Sequence, residues 1–335
     1  MRSMHRKQQQ GFLLVTVITI LAILAAIAML LSTSTSMDNV VLANHTKEAE
    51  LNYVAEAGMA HARWQLGQNT SCTNYASLPA TSFGSHSYSA SFTPTSGSPI
   101  SVLAVGSLTT GAVHTISRDN VRSYETPTTL FLQPGTEGED AEIWAQAPNN
   151  NYGDAAETWV SSATNDTTRS LLRFNVDAIP AGVKIIDATL SLRRQSGSGS
   201  QDPVSAHRIT NQWSEAAVTW NRREVGTNWD TPGVDFDSAA VATTLVGPPN
   251  GRFEWNIAPL VQGWVDGSFP NHGVVLVAAT AGMSGERFYT SDAMDSPRHP
   301  SLDVTYACEC GGTCTTVSGT IDVPVISGND DAEEN

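Results

Sequence analysis

The chain has 335 residues, more than one small domain needs, and it carries 18 Lys and Arg against 33 Asp and Glu. The formal net charge of −15 argues against the basic surface that nucleic-acid binding requires. Only 15% of the residues are charged, and Gly, Ser, Thr and Asn are frequent after residue 67, as is typical of β-rich proteins outside the cytoplasm.

The N-terminal region joins a basic lead, residues 1–11, to the apolar run 12–31, in which only Thr16 and Thr19 are polar. A helix of this length spans about 30 Å, one bilayer core, so the run predicts a membrane-crossing segment. Basic residues precede the run and none follows it until Lys47. The positive-inside rule therefore places the first residues in the cytoplasm and the rest of the chain outside.

Apolar residues continue at helical spacing from Met37 to Ala62, with no Pro and with no Gly before Gly58. The pattern predicts one continuous helix over residues 12–66, about 80 Å long. A rod of this length is unusual for a simple anchor, and a plain stalk that holds a domain off the membrane is the alternative.

The basic lead, the Gly11-Phe12 junction, the apolar run and the stretch "AELNYVAEAGMAHA" together resemble the PilX-type minor pilins of the type IV pilin superfamily. The resemblance implies that a prepilin peptidase cuts between Gly11 and Phe12 and methylates Phe12. It also implies packing against other pilins, first in the bacterial inner membrane and then in an extracellular pilus. Major pilins carry Glu where this chain has Thr16, which favours a tip or priming subunit.

Residues 67–124 contain three strand-like runs separated by turn-rich stretches, which predict a small antiparallel β head on the helix. Residues 125–139 contain two Pro and two Gly, which predicts the linker and first strand region of a second domain over residues 128–306. Short alternating strands fill that domain and predict a jelly-roll-like sandwich. The predicted fold class is therefore α+β, with a long pilin helix, a β head and an all-β sandwich.

The second domain resembles the DNRLRE-domain, or disaggregatase-related, modules. The resemblance covers residues 128–306 and is most specific in the boxes "WSEAAVTW" and "LVQGWVDG". It implies a carbohydrate-binding β-sandwich without catalytic activity.

Sugar recognition needs aromatic planes for pyranose rings and fixed polar groups for hydroxyls, with Arg for acidic groups. Three tryptophans in polar, loop-like surroundings are candidate stacking residues: Trp144, Trp159 and Trp229. Three arginines opposite core-facing strand positions are candidate ligands for an anionic polysaccharide: Arg173, Arg193 and Arg208. Separate surface ion pairs are the alternative role for these arginines.

Oxygen-rich side chains near the two ends of the second domain are candidate ligands of a structural Ca²⁺: Asp140, Glu142 and Asp303. No other cofactor is indicated. The four cysteines, Cys72, Cys308, Cys310 and Cys314, favour disulfides of open pairing over a zinc site in an exported chain. Residues 307–335 form a Cys-containing and acidic tail.

The sequence therefore predicts a non-enzymatic minor pilin that displays a carbohydrate-binding module for adhesion. The alternative from another class is a structural pseudopilin-like secretion or assembly component whose sandwich is a spacer. A polysaccharide-degrading enzyme is the third hypothesis, because carboxylates such as Glu215 and Asp235 supply suitable residue types.

Overall fold

The computed structural model describes residues 21, 23–25, 27, 29, 44–134, 138–164, 166–312 and 314. The chain forms two compact units. Among the described residues, the first unit comprises those up to Asn69 together with Thr73–Val121, and the second comprises Thr70–Cys72 and those from Arg122 onward.

The first unit places helix α1, residues 44–68, on one face of a four-stranded antiparallel sheet of order β1-β2-β3-β4. Its strands are β1 Leu78–Phe83, β2 His86–Thr93, β3 Ile100–Ser107 and β4 Val113–Val121. The apolar stripe of the helix, including Ala55, Met59 and Ala62, packs on Phe92 and Val102 of the sheet.

Gly106 on β3 explains how close the helix lies to this sheet. A Cβ atom at this position would lie 2.6 Å from the backbone nitrogen of Ala55 and 2.9 Å from the carbonyl oxygen of Leu51. Only glycine allows that approach.

The second unit is built from strands that form a continuous path of order β13-β10-β15-β8-β7-β16-β9-β17-β5, with β14 on β9 and β6 on β8. The strands before the middle of the unit are β5 Thr128–Leu132, β6 Gly138–Trp144, β7 Glu157–Ala163, β8 Asp166–Phe174, β9 Lys184–Gly197 and β10 Asp202–Arg208. The remaining elements are β11 Arg222–Glu224, β12 Thr227–Asn228, β13 Ala242–Val246, β14 Arg252–Asn256, α2 Ala258–Val265, β15 Val274–Ala278, β16 Glu286–Tyr289 and β17 Ser301–Ala307.

These strands pack as a β-sandwich. The first layer has the order β6-β8-β15-β10-β13, the second layer has the order β5-β17-β9-β14, and β7 with β16 links the two. Alternate residues of both layers meet in one core, for example Leu172 and Phe174 on β8 against Leu190 and Leu192 on β9. Trp255 is fully buried among them.

The predicted α+β class with a long pilin helix is wrong. Of the described residues, 43% lie in strands and 15% in helices, so the chain is mostly β-sheet. The longest uninterrupted helix in the described ranges, 44–68, is about 37 Å long, less than half of the helix predicted over 12–66. Helical periodicity correctly predicted a helix in the stretch that packs on the sheet, but the length that it predicted was wrong.

The predicted location in the inner membrane and then in a pilus is corrected as well. Within the described part of the chain, no helix combines the length and apolar character needed to cross a membrane. The Gly11-Phe12 junction and Thr16, on which the pilin interpretation depended, lie outside the described residues.

Candidate functional site

A long connection between β10 and β13, residues 209–241 and here called the covering segment, closes the outer face of the first layer. It brings Trp213, Val218 and Trp229 onto Leu171 of β8 in a second apolar cluster. Strand β8 is therefore buried on both faces, which explains why the adjacent residues Leu171 and Leu172 are both buried.

A depression of about 550 Å³ opens where β6 begins and β8 ends. It is lined by Gly138, Glu139, Arg173, Phe174, Asn175, Asp177, Gln212, Pro270, Asn271 and His272. We call it the Arg173 cleft. A concave site of this volume with several convergent polar groups is the usual form of a small-ligand site.

Hydrogen bonds from neighbouring elements hold the wall of the Arg173 cleft in place. The side-chain amide of Asn271 donates to the carbonyl oxygen of Phe174 at 2.7 Å, and its oxygen accepts from the backbone of Gly273 at 3.1 Å. The indole of Trp213 donates to the carbonyl oxygen of His272 at 2.8 Å. The backbone on either side of the His272 imidazole is thus fixed before any ligand arrives.

Arginines surround the His272 imidazole. Burial is the first cause that lowers its pKa below the usual value, and the guanidinium groups of Arg173, Arg208 and Arg223 lower the pKa further. The carboxylate of Glu224 acts in the opposite direction. The imidazole is therefore neutral at pH 7, in a cleft that Arg173 lines together with the carboxylates of Glu139 and Asp177.

Aromatic rings and carboxylates orient two of these arginines. The guanidinium of Arg173 lies 5.4 Å from the ring centre of Trp213 and forms an ion pair with Glu139. That of Arg208 lies 4.5 Å from the ring of Phe269 and donates to Asp237 at 2.7 Å. Stacked and paired guanidinium groups present fixed donor directions to a ligand.

The structure brings two of the three predicted arginines together and places the third elsewhere. Arg173 and Arg208 act on the same imidazole, whereas Arg193 lies on β9 of the second layer and is exposed. Arg193 faces Arg252 directly across the β9–β14 ladder. The three arginines therefore do not form one ligand surface.

The three predicted stacking tryptophans differ in accessibility. Trp229 is only 4% exposed and donates its indole hydrogen to Thr219, so it serves the apolar cluster under the covering segment. Trp159 is half-buried, with the guanidinium of Arg287 4.2 Å from its ring centre. Trp144 is also half-buried, and its indole donates to Asp166 at 2.8 Å.

The predicted calcium ligands do not converge as a set. Asp303 lies on β17 of the second layer, away from the edge strand β6 that carries Asp140 and Glu142. Instead, Glu215 and Asp292 approach Asp140, and the three residues place carboxylate oxygens within 4.8 Å of one another. The structural Ca²⁺ remains a prediction, and Asp140, Glu215 and Asp292 are the oxygen-rich group to which it would apply.

Burial is the main cause of the raised pKa values of the carboxyls in this region. It raises the pKa of Asp140 to about 6, against hydrogen bonds from Ser291, and the pKa of Glu142 to about 7. It also raises the pKa of Glu215 to about 7, and the neighbouring charge of Asp140 adds to that rise. Each carboxyl therefore binds its proton more tightly in the folded chain than in the unfolded one.

Replacement of Glu215 by glutamine is expected to stabilise the second unit at pH 8 and to change little at pH 4. The pKa of Glu215 is higher in the folded chain than in the unfolded one, so the ionised carboxylate destabilises the folded state at a pH above that value. Glutamine cannot ionise, and the replacement is therefore expected to raise the free energy of unfolding by about 1 kcal/mol at pH 8. Thermal unfolding followed by tryptophan fluorescence measures this. A variant less stable than the parent at pH 8 in chelator would contradict it, and a stabilisation of the parent alone by CaCl₂ would locate the predicted ion.

The prediction of disulfides is confirmed, and the pairing is now defined. Cys72 is joined to Cys310, and Cys308 is joined to Cys314. The described residues contain no free cysteine.

Several residues of the Arg173 cleft were missed in the sequence. His272 and Asn271 carry no motif, and the effect of Arg223 on the pKa of His272 depends on the fold of the covering segment. The stretch "FPNHG" before a strand is a polar turn of the kind that lines binding sites, and it is the signal that was available.

Residues 134–293 match carbohydrate-binding module family 96. The segment is similar to that family, and the whole Arg173 cleft lies within the matched range. No curated protein matches the chain. A module of this kind is a non-catalytic domain, which agrees with the expectation of carbohydrate binding drawn from the sequence.

Proposed function

We propose that the module binds an acidic polysaccharide in the Arg173 cleft. The observation that carries the proposal is the partly exposed guanidinium of Arg173 in the cleft, which Trp213 and Glu139 orient, with Arg208 and Arg223 adding positive charge that acts on His272. The lining of the cleft also carries the carboxylates of Glu139 and Asp177, so the attraction for an acidic ligand comes from the Arg173 guanidinium and not from the charge of the whole cleft or chain.

The groups in the cleft suit the two chemistries of an acidic sugar. The guanidinium of Arg173 is 21% exposed and offers planar donors to a carboxylate or sulfate, in exchange for part of its pairing with Glu139. The neutral imidazole of His272 offers one donor and one acceptor to sugar hydroxyls. The amides of Asn175 and Gln212 add further donors and acceptors at the rim.

Binding without catalysis is the proposed activity of the whole chain. The family match supports this for the module, and an assay for released reducing sugar tests it for the full chain. Display on a filament, which the sequence predicted, is not proposed. That prediction depended on a long helix and a membrane location, and the described residues show neither. A spacer without ligand is the alternative from another class, and it predicts no binding to any polysaccharide.

Replacement of Arg173 by glutamine is expected to weaken binding of polygalacturonate about 10- to 100-fold, the equivalent of the roughly 1.5–3 kcal/mol that a charge-assisted hydrogen bond contributes. Affinity electrophoresis and titration calorimetry at two salt concentrations measure the loss, with chondroitin sulfate as the sulfated probe. The salt dependence of binding should also decrease in the variant, because one cation is removed.

Arg298→Gln is the matched control for this experiment. Arg298 also stacks on an aromatic ring, at 5.1 Å from that of Tyr289, and also pairs with a carboxylate, Asp295 at 3.0 Å. It lies outside the Arg173 cleft, so its replacement should leave the affinity unchanged. Equal losses in both variants, or no binding of either acidic polymer by the parent chain, would contradict the proposal.

A further inference from the structure

The outer face of the second layer is a separate surface with its own chemistry. Residues such as Leu190 and Trp255 point into the core, so the alternate residues of the same strands point outward. The outward positions are Phe131 on β5, Asp303 on β17, Asp187, Thr189, Ser191 and Arg193 on β9, and Arg252, Glu254 and Asn256 on β14. We call this surface the β5–β14 face.

An exposed aromatic ring stands at one side of the β5–β14 face. Phe131 is 50% exposed and lies directly opposite Asp303 in the β5–β17 ladder. Asp303 in turn lies opposite Thr189 of β9. The Phe131 ring therefore has the carboxylate of Asp303 as its immediate neighbour. A sugar could stack its apolar side on the aromatic ring and donate a hydroxyl at its edge to the carboxylate.

Some polar groups of the face are held by their neighbours. The carboxylate of Asp187 accepts hydrogen bonds at 2.8 Å from both Asn256 and Thr189. The guanidinium of Arg252 donates to the carbonyl oxygens of Pro297 at 2.7 Å and His299 at 3.1 Å. These side chains form a fixed frame and have little capacity left for a ligand.

Three charged side chains within the frame remain available. Arg193, Glu254 and Asp303 form no side-chain hydrogen bond or ion pair with another described residue. Arg193 also stands directly opposite Arg252, and like charges in that position destabilise a sheet. Arg193 and Glu254 are exposed to solvent, so their side chains can exchange water for the hydroxyls of a ligand.

We infer that the β5–β14 face is a second carbohydrate-binding surface, which takes a neutral, hydroxyl-rich segment of a polysaccharide. Phe131 stacks on the apolar side of a pyranose ring, the carboxylates of Asp303 and Glu254 accept from sugar hydroxyls, and Arg193 donates. Three carboxylates against two guanidinium groups on the face disfavour an acidic polymer. Four strands about 4.8 Å apart give a surface about 14 Å wide, enough for more than one sugar ring.

Titration calorimetry of the full chain with four neutral hexasaccharides tests the inference: β-1,4-glucan, β-1,3-glucan, β-1,4-xylan and β-1,4-mannan. Binding of at least one is expected, and Phe131→Ala and Asp303→Asn should each weaken it about tenfold or more. Val225→Ala is the matched control, because Val225 is an 84% exposed apolar residue of the same unit outside the face. Thermal unfolding of each variant shows that the fold is retained.

The Arg173→Gln variant distinguishes the neutral-ligand surface from the acidic-ligand cleft. Arg173→Gln should leave the affinity for a neutral hexasaccharide unchanged while it reduces the affinity for polygalacturonate. The inference is overturned if none of the four hexasaccharides binds, or if their binding survives both Phe131→Ala and Asp303→Asn. Loss of neutral binding in Arg173→Gln alone would assign that ligand to the cleft and overturn it as well.

Discussion

Replacement of Arg194 by methionine is expected to lower the free energy of unfolding of the second unit by about 3–5 kcal/mol. Arg194 is 4% exposed and forms an ion pair with Glu286, which is fully buried. The guanidinium also donates to Asn250 and to the carbonyl oxygen of Ser198 at 2.8 Å. Removal of the guanidinium leaves the carboxylate of Glu286 without its counter-charge in the protein interior.

Urea denaturation followed by tryptophan fluorescence measures this loss, because seven of the eight tryptophans belong to the second unit. Burial already raises the pKa of Glu286, so the variant should recover part of its stability as the pH is lowered and the carboxyl takes up a proton. The double variant Arg194→Met, Glu286→Met should be more stable than the single one, since it leaves no unpaired charge. A single variant within about 1 kcal/mol of the parent at pH 8 would contradict the prediction.

The strands of the second unit were largely readable from the sequence. Alternation in "RSLLRFNVDAI" placed Leu172 and Phe174 on one face, and both residues do lie in the core between the layers. The same alternation placed Arg173 opposite the core-facing positions, and the covering segment buries Leu171 on that opposite face. Alternation reports which residues share a face, and it does not report whether a distant segment covers the other face.

The Arg173 cleft was only partly predictable, because strand order is not visible in a single sequence. Arg173 and Arg208 were both selected from alternation, and they act together because β15, with His272 just before it, lies between β8 and β10. Arg193 follows the same sequence rule and lies in the other layer. Spacing along the chain gives the face of a residue, whereas the pairing of strands far apart in sequence decides which residues meet.

The helical prediction failed for a different reason. Apolar spacing predicted a single helix over residues 12–66. The structure describes a helix over 44–68, which packs on a sheet through residues such as Ala55 and Met59, and further helical residues at 21, 23–25, 27 and 29, which are exposed. Helices gain most of their stability from such packing, and periodicity alone does not set their length.

Replacement of Trp213 by alanine is expected to lower both the stability of the second unit and the affinity of the Arg173 cleft for its ligand. The Trp213 side chain is fully buried under the covering segment, and loss of a buried Trp costs about 3–5 kcal/mol. The same ring lies beneath Arg173, and the same indole holds the carbonyl oxygen of His272. Trp213→Ala should therefore lower both the unfolding midpoint in urea and the affinity for polygalacturonate.

Trp213→Phe separates the two roles of this side chain. Phenylalanine keeps an aromatic ring beneath Arg173 and loses the indole hydrogen bond to the carbonyl oxygen of His272, which leaves that oxygen unsatisfied at a cost of about 1–3 kcal/mol. If the cleft is the site of acidic polysaccharides, this variant stays folded at 25 °C and binds polygalacturonate more weakly than the parent, since the wall that carries His272 is no longer fixed. An unchanged affinity in a folded Trp213→Phe variant would show that the position of His272 does not matter for binding, and the ligand would then have to be sought on another surface.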